Sequence, residues 1–342
     1  MTRLSLQRTV IAAAIGAAGT MALVSGAAAA DDWKAVKGDV RWASASMGST
    51  TQVLLSGVEA VLKGVLPNVR MSVLTTSGSV ENPRLLEAGE TELAGVNSDS
   101  AWQASNGMKP YGHKIDMQMV LTAYGNTVIF LTLPDSGIKK MEDLAGKKVS
   151  VGPSGSGGYK LAYSVLAHGY NLWDKIKPYY IAYNDQISAL RDGTVVAMMA
   201  HLNDGMKTSY LAEADATTKL YVLGQDQAAI ERIQKVEGFQ TAYKLGPQNL
   251  KNLDREILAM TNHHVEYARS DIPEDLVYAL VRGFYENSKE LANYHPLAKN
   301  INVKHALDGA FKGIPVHPGA ARYYKEVGVW RDDLMVGQVT KK

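Results

Sequence analysis

The 342 residues are 46% apolar and 20% charged, enough for a large core and better suited to two lobes than to one domain. Lys plus Arg number 36 against 34 Asp plus Glu; this balance, without a basic stripe, excludes a nucleic-acid binder. The chain has no cysteine, which excludes disulfides, a thiolate nucleophile and a sulfur-bound metal.

Residues 1–30 read as a secretory signal peptide, cleaved near Ala30–Asp31. Arg3 and Arg8 form a basic head, Val10–Val24 is uncharged and Ala-rich, and Ala28 and Ala30 satisfy the small-x-small rule. As a helix that run spans about 22 Å, short of the ~30 Å hydrocarbon core, so cleavage is expected rather than an anchor. Without cysteine a lipid anchor is excluded. Cleavage removes both arginines and no acid, and the neutral mature chain is expected in the periplasm.

After Gly38 the pattern alternates. "DVRWASA" reads as a strand, and "TTQVLLSGVEAVLKG" as a helix with Val53, Leu54, Val58, Val61 and Leu62 at helical spacing and Gly64 as its stop. Strand "VRMSVLTT", helix "SVENPRLLEAG" with Ser79 as its cap, strand "ELAGVN" and helix "DSAWQASNG" follow. This βαβαβα order calls for a parallel sheet covered by helices. "MQMVLTAYGNTVIFLTLPDSGI" is a long extended run with Gly125 inside it, read as a crossing between lobes. From "KKVSV" the alternation restarts: helix 158–168, strand "YYIAY", helix 185–192 ending at Gly193, strand "VVAMMA", a helix near 206–214 and strand "KLYVL". A second α/β unit is complete by about residue 245. "EILAMTNHHVEYARSDIPEDLVYALVRGF" then supplies another extended run and an amphipathic helix with Pro273 in its first turn, where a missing N–H costs little. Two half-sheets joined by extended crossings predict a cleft between lobes.

The strand-to-helix loops "SASMGSTT" (44–51), "TTSGSVEN" (75–82), "NSDS" (97–100) and "GPSGSGG" (152–158) are rich in hydroxyls and mostly in glycine. In open α/β sheets such loops gather at the carboxyl edge, where ligands bind. Free helix-start N–H groups and short hydroxyls can hold an anion without a formal cation. Any one of these loops is equally well explained by simple capping; four together favour a ligand. Asp99 reads first as a helix cap. Arg84, Arg191 and Lys160 are candidate cations but read more simply as solvated helix residues.

Sharper chemistry fails on spacing. Gly152 and Gly157 have the phosphate-loop interval, but Gly158 stands where its lysine should be. The dinucleotide fingerprint needs glycine where Lys160 stands, and neither Ser154 nor Ser156 is flanked as in a nucleophile elbow. His263, His264 and Glu266 lie in an extended run, where neighbours face opposite ways, so no metal is expected. His201 and Asn203 follow "VVAMMA", and Tyr183, Asn184 and Asp185 end "YYIAY"; all belong at a carboxyl edge and could face the cleft, where a surface turn is as good an account. Met198–Met199 reads as core.

"SGSVENPRLLEAGETELAGVNSDSAW" resembles a signature of TAXI-type solute receptors, the substrate-binding subunits of tripartite ATP-independent periplasmic (TRAP) transporters. "DSGIKKMEDLAGKKVSVGPSGSGG", "IPEDLVYALVRGFYENSKELANYHP" and "VHPGAARYYKEVG" are similar to later parts of that family, and the resemblance covers roughly residues 40–330. It implies an α/β, type II-like, two-lobed periplasmic binding protein fold and a non-enzymatic receptor that passes an organic anion, a carboxylate or amino acid, to an ion-gradient-driven permease. Lobe 1 is expected to be 31–128 plus 259–342 and lobe 2 129–258, with hinges near 124–129 and 258–264. The expected ligand-binding residues are Ser46, Gly48, Ser49, Thr50, Thr51, Ser77, Ser79, Asn82, Asn97, Ser98, Asp99, Ser154, Gly155, Ser156, Gly157, Gly158, Asn184 and His201; no cofactor, metal or catalytic residue is expected, and a monomer is. The family's first loop carries a Gly-Gly-Thr-Tyr-Tyr motif, whereas this chain reads "MGSTTQV", and Asn97 and Pro83 replace its usual Gln and Leu. The site's location is therefore carried over but not a glutamate-like ligand. The alternatives are the binding protein of an ATP-driven (ABC) importer and, in another class, an exported hydrolase or transferase.

Overall fold

Strand β1 (Gly38–Ala43) buries Val40 and Trp42 and exposes Asp39 and Arg41, the alternation of a sheet with one face on a core. The computed structural model describes residues 32–341, and the signal-peptide expectation lies outside them. Helix α1 (Thr50–Val65) turns Leu54, Leu55, Val58, Val61 and Leu62 inward. Ser49 caps it, its hydroxyl accepting from the Gln52 N–H at 3.3 Å. Gly64 does not stop it; the helix runs to Val65. Strand β2 (Val69–Leu74), helix α2 (Asn82–Glu87), strand β3 (Leu93–Asn97) and helix α3 (Ser98–Asn106) follow, and β2 and β3 flank β1 in parallel, as the alternation predicts. Helix α2 begins later than expected. Pro83 takes its first turn and Glu81 the cap position, because proline presets helical φ and has no N–H to satisfy. Ser79, freed from capping, accepts instead from the Asn97 N–H at 3.1 Å.

Strand β4 (Gln118–Thr132) is the first crossing. The next strands and helices are β5 (Lys148–Ser150), α4 (Gly157–Tyr163), β6 (Lys177–Tyr179), α5 (Gln186–Arg191), β7 (Ala197–Asn203), β8 (Met206–Lys207), α6 (Ser209–Thr217), β9 (Tyr221–Leu223), α7 (Gln227–Val236) and β10 (Thr241–Leu245). Two expectations shift here. The "YYIAY" strand ends at Tyr179, because its partner β5 is three residues long, and Tyr183–Asp185 forms a single helical turn instead. The predicted helix 158–168 changes to π geometry over Ser164–Gly169. Helix α7 and strand β10 lie where the sequence analysis assigns nothing.

Strand β11 (Ile257–Ala268) is the second crossing, followed by α8 (Glu274–Glu286), which Pro273 precedes as its cap rather than entering its first turn. The sheet runs β2-β1-β3-β11-β4-β7-β5-β6, with β10 on β11, β9 on β4 and β8 on β7. Residues 118–126 of β4 lie antiparallel to 262–268 of β11, while 126–132 lie against β7. Conversely, 264–268 of β11 pair with β3 and 257–261 with β10. Each long strand therefore belongs to both ends of the sheet. The core divides accordingly. One cluster joins Trp42, Leu54, Leu93, Tyr267, Phe284 and Tyr324; two others, around Ile129, Met198 and Leu211 and around Phe130, Val149 and Leu161, fill the part between the crossings. Among the described residues no helix is long and apolar enough to cross a membrane.

Candidate functional site

The loops after β1, β2 and β3 meet the loops after β5 and β6 and strand β7 around a small, partly open space. Ser46, Ser49, Thr50, Thr51, Ser77, Ser79 and Asn97 line it from one half, and Ser156, Gly157, Gly158, Leu161, Tyr183 and His201 from the other, with Tyr124, Asn126 and His264 contributed by the crossings. Its volume is 50 Å³. It shares Ser46, Ser49, Thr50, Tyr183 and His201 with a second chamber of 170 Å³, whose other walls are Met47, Gly48, Pro153, Ala182, Asn184, Thr208 and Tyr210. The halves touch across this space. Thr50 donates to the Asn203 side-chain carbonyl at 2.7 Å, and a Cβ on Gly157 would collide with Asn97 Nδ2. These contacts join the two walls of the space.

Local chemistry aims the donors. Ser156 caps α4, accepting from the Tyr159 N–H at 3.1 Å and donating to the Pro153 carbonyl at 2.7 Å. The first N–H groups of α1 have no partner within the helix. Asn97 Oδ1 accepts from His264 Nδ1 at 2.8 Å and Asn126 Nδ2 at 3.2 Å, so the Asn97 Nδ2 donor is left facing Gly157. His264 stacks on Tyr124 with ring centres 4.9 Å apart, and Thr51 bonds the Tyr124 hydroxyl at 2.6 Å. On the opposite wall Tyr183 stacks on Tyr210 at 5.1 Å, and the Tyr210 hydroxyl lies 2.8 Å from His201 Nδ1. No Asp, Glu, Lys or Arg lines either chamber. Burial, aided by the neighbouring His264, pushes His201 down to about 4, so its ring is neutral at pH 7.

Thirteen of the eighteen expected site residues line these chambers. Asn82 does not: its amide donates to the Ser44 and Gly95 carbonyls at 2.8 and 2.7 Å and holds the loops together from behind. Ser98 donates to the His263 carbonyl at 3.1 Å. Asp99 is no cap; it lies fully buried in the first turn of α3 and accepts from Asn262 Nδ2 at 3.2 Å. Ser154 and Gly155 face an adjoining groove of 550 Å³ beside Trp102, Tyr159, Tyr163 and Lys160. Lys160, expected to be solvated, is 7% exposed, its ammonium 5.1 Å from the Tyr163 ring and its charge felt by Asp99. Arg84 and Arg191 bond to the Pro110 carbonyl and to the Thr217 and Thr218 hydroxyls. Another groove, of 510 Å³, carries Gly125, Asp204, His263, Lys299 and Asp308. Both grooves are larger, but neither gathers the four hydroxyl-rich loops. Sequence reasoning placed Tyr183 at the carboxyl edge without counting it among the ligand-binding residues, and missed Tyr124, Asn126, Leu161, Thr208, Tyr210 and His264 as lining residues. Among the described residues, no three His, Asp or Glu side chains are grouped as a metal set.

Buried titratable groups, in the site and away from it, set an acid limit on stability. His201 and His317 are both held at about 4 by burial, below the ~6.5 of an unfolded histidine. Their contribution is complete above pH 6.5 and is lost as pH falls toward 4, because the unfolded chain takes up protons first. Asp99 has the opposite sign: burial raises it to about 7, so below that pH it gains a proton in the folded state and stability rises toward pH 4. Urea midpoints should therefore fall from pH 6.5 to 4.5, less steeply in His317→Asn and more steeply in Asp99→Asn.

A family model described as the NMT1-like family matches residues 43–328. The chain belongs to the NMT1-like family. Its backbone is similar to the periplasmic aliphatic sulphonate binding protein SsuA of Escherichia coli (15% identity, 87% of this chain and 95% of that one, TM-score 0.44). It is also similar to the alkanesulfonate-binding protein SsuA of Xanthomonas axonopodis pv. citri bound to MOPS (12% identity, 88% and 98%, TM-score 0.46) and to a putative L-cystine ABC transporter protein of Listeria monocytogenes (12% identity, 78% and 95%, TM-score 0.46).

Proposed function

We propose that this chain is an exported, periplasmic receptor that closes two lobes around a small organic anion and delivers it to an importer in the membrane. Lobe 1 is 31–128 plus 259–342 and lobe 2 is 129–258. The observation that carries the reading is the shared space itself: hydroxyls, amides and helix-start N–H groups from both halves converge on one gap, and two long strands, β4 and β11, run through both halves. Bridging a ligand to both halves makes closure favourable in proportion to its differential affinity. Thr51 Oγ1 lies 3.3 Å from His264 Nε2 but is engaged more closely by the Tyr124 hydroxyl at 2.6 Å, which favours capture and release over turnover.

The importer's engine has two readings. The TAXI-like segments support an ion-gradient-driven TRAP permease. The Listeria protein carries the name of an ABC transporter, and none of the three structures above carries that of a TRAP system. An ATPase gene beside this one selects the ATP-driven reading, and a large multi-span permease gene without one selects the other. The receptor reading is tested by thermal denaturation of the mature chain against small organic acids and amino acids. A ligand at 100 times its Kd adds about 2.7 kcal/mol, a rise of about 5 °C in a chain of this size. A panel in which no small solute moves the transition contradicts it.

A further inference from the structure

The two chambers differ in character, and the difference specifies a class of ligand. This inference rests on the receptor reading above. The smaller chamber is walled by hydroxyls and amides: Ser49, Ser79, Thr51 and Asn97. Ser49 and Ser79 accept from backbone N–H groups and keep their own protons for another acceptor. Asn97, oriented by two donors on its carbonyl, offers its amide. The larger chamber is floored by the stacked Tyr183 and Tyr210 rings and rimmed by Met47, Pro153 and Ala182. One end therefore accommodates a hydrogen-bond acceptor and the other a compact apolar body.

We infer that the ligand is a small monocarboxylate with an uncharged, apolar body, and that dicarboxylates and α-amino acids are rejected. A second carboxylate would meet no lysine or arginine in either chamber, and an unpaired buried charge is strongly disfavoured. A substrate ammonium would meet no free carboxylate. Glu266 accepts from the Trp42 indole at 2.6 Å, lies 3.5 Å from His264 Nε2 and lines neither chamber. Glu81 is bonded by the Ser77 N–H and hydroxyl, and Asp99, whose Oδ1 accepts from Asn262, lines neither chamber. A single carboxylate needs no such partner, since several neutral donors aimed at it suffice.

Calorimetric titration of the mature chain with acetate, butanoate, hexanoate, butanedioate, 2-aminobutanoate and butanamide tests this. Butanoate or hexanoate should bind at least 100-fold more tightly than butanedioate or 2-aminobutanoate, and at least 10-fold more tightly than butanamide. Ala182→Phe, at an exposed rim position, should shift the preferred monoacid toward acetate. A diacid, amino acid or amide that binds as well as the best monoacid, or a chain-length preference untouched by Ala182→Phe, overturns the inference and leaves the receptor reading standing. If none of the six binds, the wider panel of acids and amino acids decides: a monoanion with an apolar body supports the inference, another ligand class overturns it, and no ligand at all overturns both.

Discussion

Replacing Gly157 with valine should abolish ligand-induced stabilisation while leaving the empty protein close to its original stability. Gly157 opens α4 in one half of the chain, and the atoms its side chain would meet belong to the other half: Asn97 Nδ2 at the end of β3, and Ser79 Oγ at 2.9 Å. Its φ is not in the left-handed region, so valine is not excluded by the backbone. The clash exists only when the halves are together, and the open form escapes it. Because Asn97 is pinned through Asn126 and His264, it cannot swing aside without breaking buried hydrogen bonds. Affinity should fall at least 100-fold, about 2.8 kcal/mol, by calorimetry, with the urea midpoint of the empty protein little changed. An affinity within threefold of the parent would mean that closure at this contact is not part of binding.

The largest effect on stability should come from Asn126→Leu. Asn126 stands where β4 leaves β11 for β7, pairing with both Asn262 and Asn203 in register. Its carbonyl accepts from Asn203 and its amide donates to Asn97, while Asn203 in turn accepts from Thr50 at 2.7 Å. Asn97, Asn126 and Asn203 are all buried. Leucine conserves bulk and removes both bonds, leaving the Asn203 amide without its acceptor and Asn97 without one of its two donors. The stranded Asn203 amide costs about 1–3 kcal/mol and the lost Asn97 bond adds about 0.5–1.5 kcal/mol, so urea unfolding should report a loss of about 2–4 kcal/mol. Ligand affinity should fall as well, since Asn97 loses half of what orients it. A loss under about 1 kcal/mol would show that the chain of amides across the crossing is not structurally coupled.

The parts of the site legible in the sequence are those made by short-range chemistry. Glycine and hydroxyl residues between a strand and a helix mark the 44–51, 75–82 and 152–158 loops, and their places at a sheet's carboxyl edge follow from parallel pairing. Tyr124, Asn126 and His264 were not legible as lining residues, because they come from strands in which successive side chains face opposite ways. Which face reaches the cleft is set by a register between residues far apart, with irregularities beside His264 and Glu266. Tyr183 was placed in a strand that ends early because β5 has three residues to offer. Asn82, Ser98 and Asp99 carry polar side chains at the correct edge, yet the fold uses them to hold loops and strands together. Helix α7 did carry a signal: Asp226 caps it, accepting from the Ala229 N–H at 2.7 Å, with Ala229, Ile230 and Ile233 buried on one face.

The central claim is that uncharged donors from both halves grip an anionic solute in one gap. A crystal structure of the mature chain with the tightest-binding acid from the thermal panel tests it most directly. The account predicts the carboxylate within hydrogen-bond distance of Ser79, Asn97 or the first N–H groups of α1, with the body of the molecule against Tyr183 and Tyr210. An acid seated instead beside Lys160 and Trp102, or beside Lys299 and Asp204, would contradict it.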